Sequence, residues 1–120
     1  MATFPTPLLD EMLAKRQQQA EQERQQLLEQ ALQWLSLHGE EFGITSGFLF
    51  GSVTQPDRFS RRSDIDLAIE SLKIGDPFGL MSYLSLHIDR EVDLVPLDQC
   101  HFSSKIRRDG ILWKSTKPLD

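Results

Sequence analysis

The hydrophobic and polar positions of this chain split it into a helical opening and a strand-rich remainder. From Leu8 to His38 there is no Gly or Pro, and Gln, Glu, Ala, Leu and Arg dominate. These are good helix formers, so one long helix is predicted. Pro5 and Pro7 precede it and Gly39 is placed to end it. Leu28, Leu32 and Leu35, with Leu27, Ala31 and Trp34 beside them, form an apolar stripe that predicts a core-facing half. From Lys15 to Gln26 the only apolar residue is Ala20. That stretch is expected to be solvated or to project beyond the domain. Leu8, Leu9, Met12 and Leu13 then make a separate apolar cluster at the tip, expected to meet a partner. Leu13, Ala20, Leu27 and Trp34 are seven apart, but the companion heptad positions are polar, which gives a coiled coil little support. The chain is accordingly divided into a helical extension, residues 1–26, and a domain, residues 27–120.

After Gly43 the period changes. Gly47-Phe48-Leu49-Phe50 is a short apolar run that ends at Gly51-Ser52. Residues 53–62, with Pro56, Asp57 and Arg58, Arg61 and Arg62, predict a loop or short helical turn. Asp64 to Ile69 alternates polar and apolar, as a strand with one buried face does. Leu80 to Ile88 has helical spacing after a turn at Gly75 to Gly79. Glu91 to Val95 alternates again and meets Pro96. Ser103 to Arg108 suits a short helix ending near Gly110, followed by the apolar piece Ile111-Leu112-Trp113. The predicted fold is α/β (α+β): a small mixed sheet, helices on one side, and a long N-terminal helix.

Composition narrows the function classes. With 120 residues the chain fits one domain with a real core. A formal net charge of -5 argues against broad nucleic-acid binding, which needs a basic face. It leaves room for a small phosphate-bearing ligand, because a divalent metal inverts the local charge. Cys100 is the only cysteine, so an internal disulfide is impossible and a cytoplasmic setting is the simpler expectation. No apolar run approaches the roughly 20 residues of a membrane span, and Met1 to Thr6 lacks the basic start of a signal peptide.

Three features carry candidate chemistry. Gly51-Ser52 follows a hydrophobic strand, where Gly lets backbone approach a ligand and the Ser hydroxyl with following N–H groups can meet a phosphate. By itself the pair is an ordinary turn. Asp64 and Asp66 are two apart on a strand, so both leave the same face. Adjacent carboxylates repel and Asp is disfavoured in strands, so a divalent cation is one compensation. A solvated face, or Asp64 capping the strand, is the other reading. Asp93 stands alone among apolar neighbours in Val92-Asp93-Leu94-Val95. If its strand lies beside that of Asp64 and Asp66, three carboxylates converge, a donor set suited to magnesium and to in-line displacement at phosphorus. His38, His87 and His101 lack ligand-like spacing, and Ser60 and Ser63 make no hydrolase motif.

Together, Phe48-Leu49-Phe50-Gly51-Ser52, Ser63-Asp64-Ile65-Asp66-Leu67-Ala68-Ile69 and Val92-Asp93-Leu94-Val95 resemble the DNA polymerase beta-type nucleotidyltransferase superfamily, and within it the minimal nucleotidyltransferases. The resemblance runs from about Gly47 to Trp113. It implies that Gly51 and Ser52, with Ser63, bind the nucleotide. It also implies that Asp64, Asp66 and Asp93 hold magnesium, two ions in all, and that Asp93 helps deprotonate the attacking hydroxyl. The chain departs from the family in two places. Val53 to Ser63 is one residue longer than the usual spacing, and Thr54-Gln55-Pro56 replaces the small residue and glycine expected after Gly-Ser. Arg58, Arg61 and Arg62 are candidates to compensate at the phosphates, or are solvated surface residues.

Small stand-alone members of this type resemble the antitoxins of HEPN/MNT toxin–antitoxin modules. That resemblance implies transfer of AMP from ATP to a tyrosine of a helical HEPN ribonuclease toxin. Two other readings stay open. One is a non-catalytic binding module that neutralises its partner stoichiometrically through the N-terminal helix. The other is a nucleotidyltransferase acting on a small molecule, although those resemble larger chains.

Overall fold

The computed structural model describes residues 6–116. Residues 1–5 of the expected extension, Pro5 among them, and residues 117–120 lie outside the described residues. Helix α1 spans Thr6–His38, α2 Pro77–Ile88 and α3 Ser103–Asp109. The strands are β1 Ser46–Phe50, β2 Ile65–Ile69, β3 Val92–Pro96 and β4 Ile111–Lys114. They form one sheet in the order β3-β2-β1-β4. β1 pairs antiparallel with β2 and with β4, whereas β2 and β3 run parallel. The expected small mixed sheet with a long leading helix is therefore the architecture.

Pro7 falls inside the first turn of α1 rather than before it. A first turn tolerates proline because its N–H groups have no intrahelical partner. Pro96 likewise belongs to β3, an edge strand, where a missing N–H is tolerated. Ile111-Leu112-Trp113 becomes β4 by pairing with β1.

Strand alternation assigns the two faces of the sheet. Leu49, Ile65, Leu67, Ile69 and Val92 face the main core, where Leu27, Ala31 and Leu35 of α1 and Leu80, Leu84 and Ile88 of α2 cover them. The opposite face carries Phe48, Phe50, Ala68 and Val95, and Ile106 of α3 packs on it with Leu97. The two long helices thus share one side, while the short α3 covers part of the other. A bidentate pair from Arg107 to Glu70, with both bonds at 2.8 Å, ties α3 to the end of β2.

The buried line of α1 runs through Leu27, Ala31 and Leu35, with Leu28 and Leu32 at its shoulder. Continued toward the N-terminus at helical spacing, that line reaches Arg24. The expectation that Lys15 to Gln26 is solvated or projects beyond the domain fails there, because Arg24 is only 8% exposed. Before it, every described residue from Pro7 to Gln19 is exposed. No helix among the described residues is long and apolar enough to cross a membrane.

Candidate functional site

Gly51 begins a single 3-10 turn, Gly51–Thr54, directly at the end of β1. Its φ of 77° lies in the left-handed region that favours glycine. A second constraint is steric. A Cβ at this position would stand 2.1 Å from Oδ2 of Asp66, so no larger residue fits without moving that carboxylate. Val53 is fully buried and pins the turn, while Thr54 Oγ1 donates to the Gly51 carbonyl at 2.7 Å. Ser52 is half-buried within the turn.

Asp66 lies opposite Phe50 on one side and opposite Asp93 on the other. The two aspartates are therefore register partners on neighbouring parallel strands, with side chains on the same face of the sheet. Asp64 immediately precedes β2 and is half-buried; Asp93 is exposed. The carboxyl of Asp66 is pushed up to about 6, first by burial and then by the charges of Asp93 and Asp64. Asp64 and Asp93 thus make ionisation of Asp66 costly, and a divalent cation is one means of relieving such a cost. Among the described residues no group of three or more His, Cys, Asp or Glu is placed so that it could hold a metal ion, so the expected convergence of Asp64, Asp66 and Asp93 is limited to the pairing of Asp66 with Asp93 and their shared charge.

The loop between the turn and β2 is held by residues that sequence reasoning missed. Phe59 is buried, and the Arg90 guanidinium lies 4.7 Å from its ring centre. Arg90 also donates to the carbonyls of Ser60 and Ser63, each at 3.1 Å. The Ser63 hydroxyl accepts from the Ser60 N–H at 2.9 Å, so this candidate nucleotide ligand is engaged in closing the Ser60–Ser63 turn. Arg58, Arg61 and Arg62 are all exposed. Arg61 and Arg62 border an open groove that also includes Asp64 and Glu91; Arg58 does not.

Arg24 is the other unforeseen residue. Its Nη1 donates to the Val53 carbonyl at 3.0 Å, and the rest of its guanidinium forks onto Glu21. The guanidinium holds the Glu21 carboxyl down to about 2. The long helix is thereby bonded to the backbone of the Gly51–Thr54 turn. The signal for this was present in the sequence: Arg24 falls on the same helical line as Leu27, Ala31 and Leu35.

No family model, curated protein or solved structure matches this chain.

Proposed function

We propose that the chain is a magnesium-dependent nucleotidyltransferase that acts as an antitoxin, moving AMP from ATP to a tyrosine of a partner HEPN ribonuclease toxin. The observation that carries the reading is the pairing of Asp66 with Asp93 across β2 and β3, beside Asp64, with the Gly51 backbone against the Asp66 carboxylate. Asp64, Asp66 and Asp93 would hold magnesium, which offsets charge on the reacting phosphates.

The chemistry is a displacement at phosphorus. The acceptor oxygen bonds to the α-phosphorus, the bond from that phosphorus to the bridging oxygen breaks, and pyrophosphate leaves. Asp93, exposed at the sheet edge, accepts the proton of the acceptor hydroxyl and passes it to water. Gly51 and Ser52 orient the outer phosphates through backbone that approaches closely because position 51 has no side chain. Arg24 keeps that turn in place from behind. The partner meets the exposed tip of α1, where Leu8, Leu9, Met12 and Leu13 are each about half exposed. A cytoplasmic location belongs to this reading.

That same tip supports a second reading, a non-catalytic module that neutralises its partner by complex formation. One experiment separates the two. The purified chain, magnesium and ATP labelled at the α-phosphate are incubated with the co-purifying partner, beside the Asp64→Asn/Asp66→Asn double variant. Transfer predicts label on a partner tyrosine, absent with the variant. A stable complex with no label, and neutralisation intact in the variant, would establish the binding module. Label on a small acceptor with no partner present would instead assign a small-molecule substrate.

A further inference from the structure

The apolar tip of α1 shares a helix face with a notch further along the same helix. Leu9 and Leu13 continue at helical spacing into Arg16 and Ala20, and Leu8 and Met12 lead on to Gln19 and Glu23. Where that face meets the domain there is a notch of about 360 Å³, between α1 and the loop that carries Phe59 and Arg61. Arg16, Gln19, Ala20 and Glu23 form its helical wall, and Phe59 adds an apolar surface. We propose that the notch receives the tip of α1 from a second copy of the chain, in an antiparallel dimer that exchanges arms. The proposal goes beyond the functional reading above and needs none of its chemistry.

Three observations select a second copy as the occupant. The first is symmetry. Tip and notch share one helix face, so a single two-fold axis near residue 14 seats each tip in the other copy's notch. Leu9 then meets Ala20 and Met12 meets Arg16, each contact made twice, which closes the assembly at two chains. The second is fit. Residues 6–23 give each copy roughly 27 Å of helix to pair, and each arm ends where the other copy's domain begins. Ala20, small and half-buried, leaves room for the larger Leu9. The third is charge. Asp10 and Glu11 lie among the apolar residues of the tip, with no basic residue from Leu8 to Leu13. The notch offers Arg16 and Arg61 against Glu23 alone, and Glu23 already faces Arg61 at 3.8 Å. An acidic, apolar tip is thus matched to a basic notch with an apolar surface. In the functional reading above a partner meets the same tip, so partner and second copy compete for it. Two short arms make a contact at the small end of specific interfaces, so the dimer dissociates at micromolar concentration and the dilute chain is a monomer.

Sedimentation equilibrium of the full chain, from sub-micromolar to several hundred micromolar, tests the proposal. The mass should rise with concentration from 13.8 kDa toward twice that value. Leu9→Lys and Ala20→Glu should each weaken association at least about tenfold, because each puts a charge into both copies of the apolar contact. Mixed together, the two variants should pair again. One contact then sets an ammonium against a carboxylate, and the other keeps Leu9 against Ala20. Restored pairing also shows that both variants fold. A monomer at every concentration would overturn the proposal, as would association that neither substitution weakens, or a mixture that stays monomeric. None of these outcomes involves ATP or the partner, so the transfer reading stands or falls separately, by the labelled-ATP experiment.

Discussion

Asp66 concentrates the tension of this molecule in one side chain. It sits part-buried between Asp64 and Asp93, and its carboxyl is raised to about 6. The consequence for stability has a definite sign. Below about pH 4 the group is protonated in both the folded and the unfolded chain and contributes nothing. Between about 4 and 6 the folded chain holds a proton that the unfolded chain has released, so stability falls as pH rises. Above 6 the carboxylate is ionised in both states and the full penalty applies. Asp66→Asn should therefore raise the melting temperature at pH 7 to 8 in metal-free buffer, with the gain shrinking to nothing by about pH 4. Thermal melts across that range, wild type beside variant, check it. Under the proposed function, magnesium should raise the wild-type melting temperature at pH 7.5 and have little effect on the variant, because an ion held by Asp66 would stabilise only the folded chain that keeps this ligand. A melting temperature that Asp66→Asn leaves unchanged at every pH would contradict the electrostatic account.

At the scale of elements, the decisive contact joins a helix to a turn. Arg24 uses one nitrogen on the Val53 carbonyl and the others on Glu21, all within the first helical turns that touch the domain. Arg24→Met keeps the apolar stem and removes the donors. It should cost about 1–2 kcal/mol, since the Val53 carbonyl loses its partner in a buried setting. Urea denaturation measures that loss. Arg24→Lys should restore little of it, because an ammonium cannot fork to a carboxylate and a carbonyl at once. Under the proposed function both variants should also weaken nucleotide binding, through a Gly51–Thr54 turn that is no longer braced. The loop that follows is braced in the same style by Arg90, stacked on Phe59 and bonded to Ser60 and Ser63. Two arginines, neither of them in the Arg58–Arg62 cluster, hold the segment that precedes the acidic strand.

The whole molecule is elongated. Its extents are 70 × 30 × 20 Å and its radius of gyration is 17.6 Å, against about 14 Å for a compact chain of this length. The cause is α1, whose 33 residues span about 50 Å while only its second half meets the sheet. Thirteen residues, Pro7 to Gln19, are all exposed. A helical stretch of that length that buries none of its side chains is marginal in water, and under the proposed function its apolar tip is covered by the partner. Deleting residues 1–13 should change the unfolding free energy by less than about 0.5 kcal/mol, because no described residue among them is buried. Partner binding should be lost. Chemical denaturation and a pull-down with the partner, run on the same truncated chain, separate the two effects. A large loss of stability would show that the tip serves its own fold.

The sequence by itself determined most of the elements and supplied candidate residues for the site. Period in the apolar positions marked α1, α2, β2 and β3, because helices and strands bury one face at different spacings. Gly51 became a candidate only together with Asp64, Asp66 and Asp93, because a Gly-Ser pair after a strand is by itself an ordinary turn and charge within an apolar alternation is also compatible with a solvated face. Tertiary structure decided what depends on contacts between distant segments. Strand pairing, not local pattern, set Asp66 opposite Asp93, since register is a property of two strands together. The helical line of Leu27, Ala31 and Leu35 turned Arg24 toward the domain, but only the turn that lies against it supplied the Val53 carbonyl as its partner. The Ser63 hydroxyl turned inward to its own loop, and Ile106 of α3 took the face that the long helices leave open. A long polar side chain is compatible with solvent or with burial, and only the neighbour that can satisfy its hydrogen bonds chooses between them.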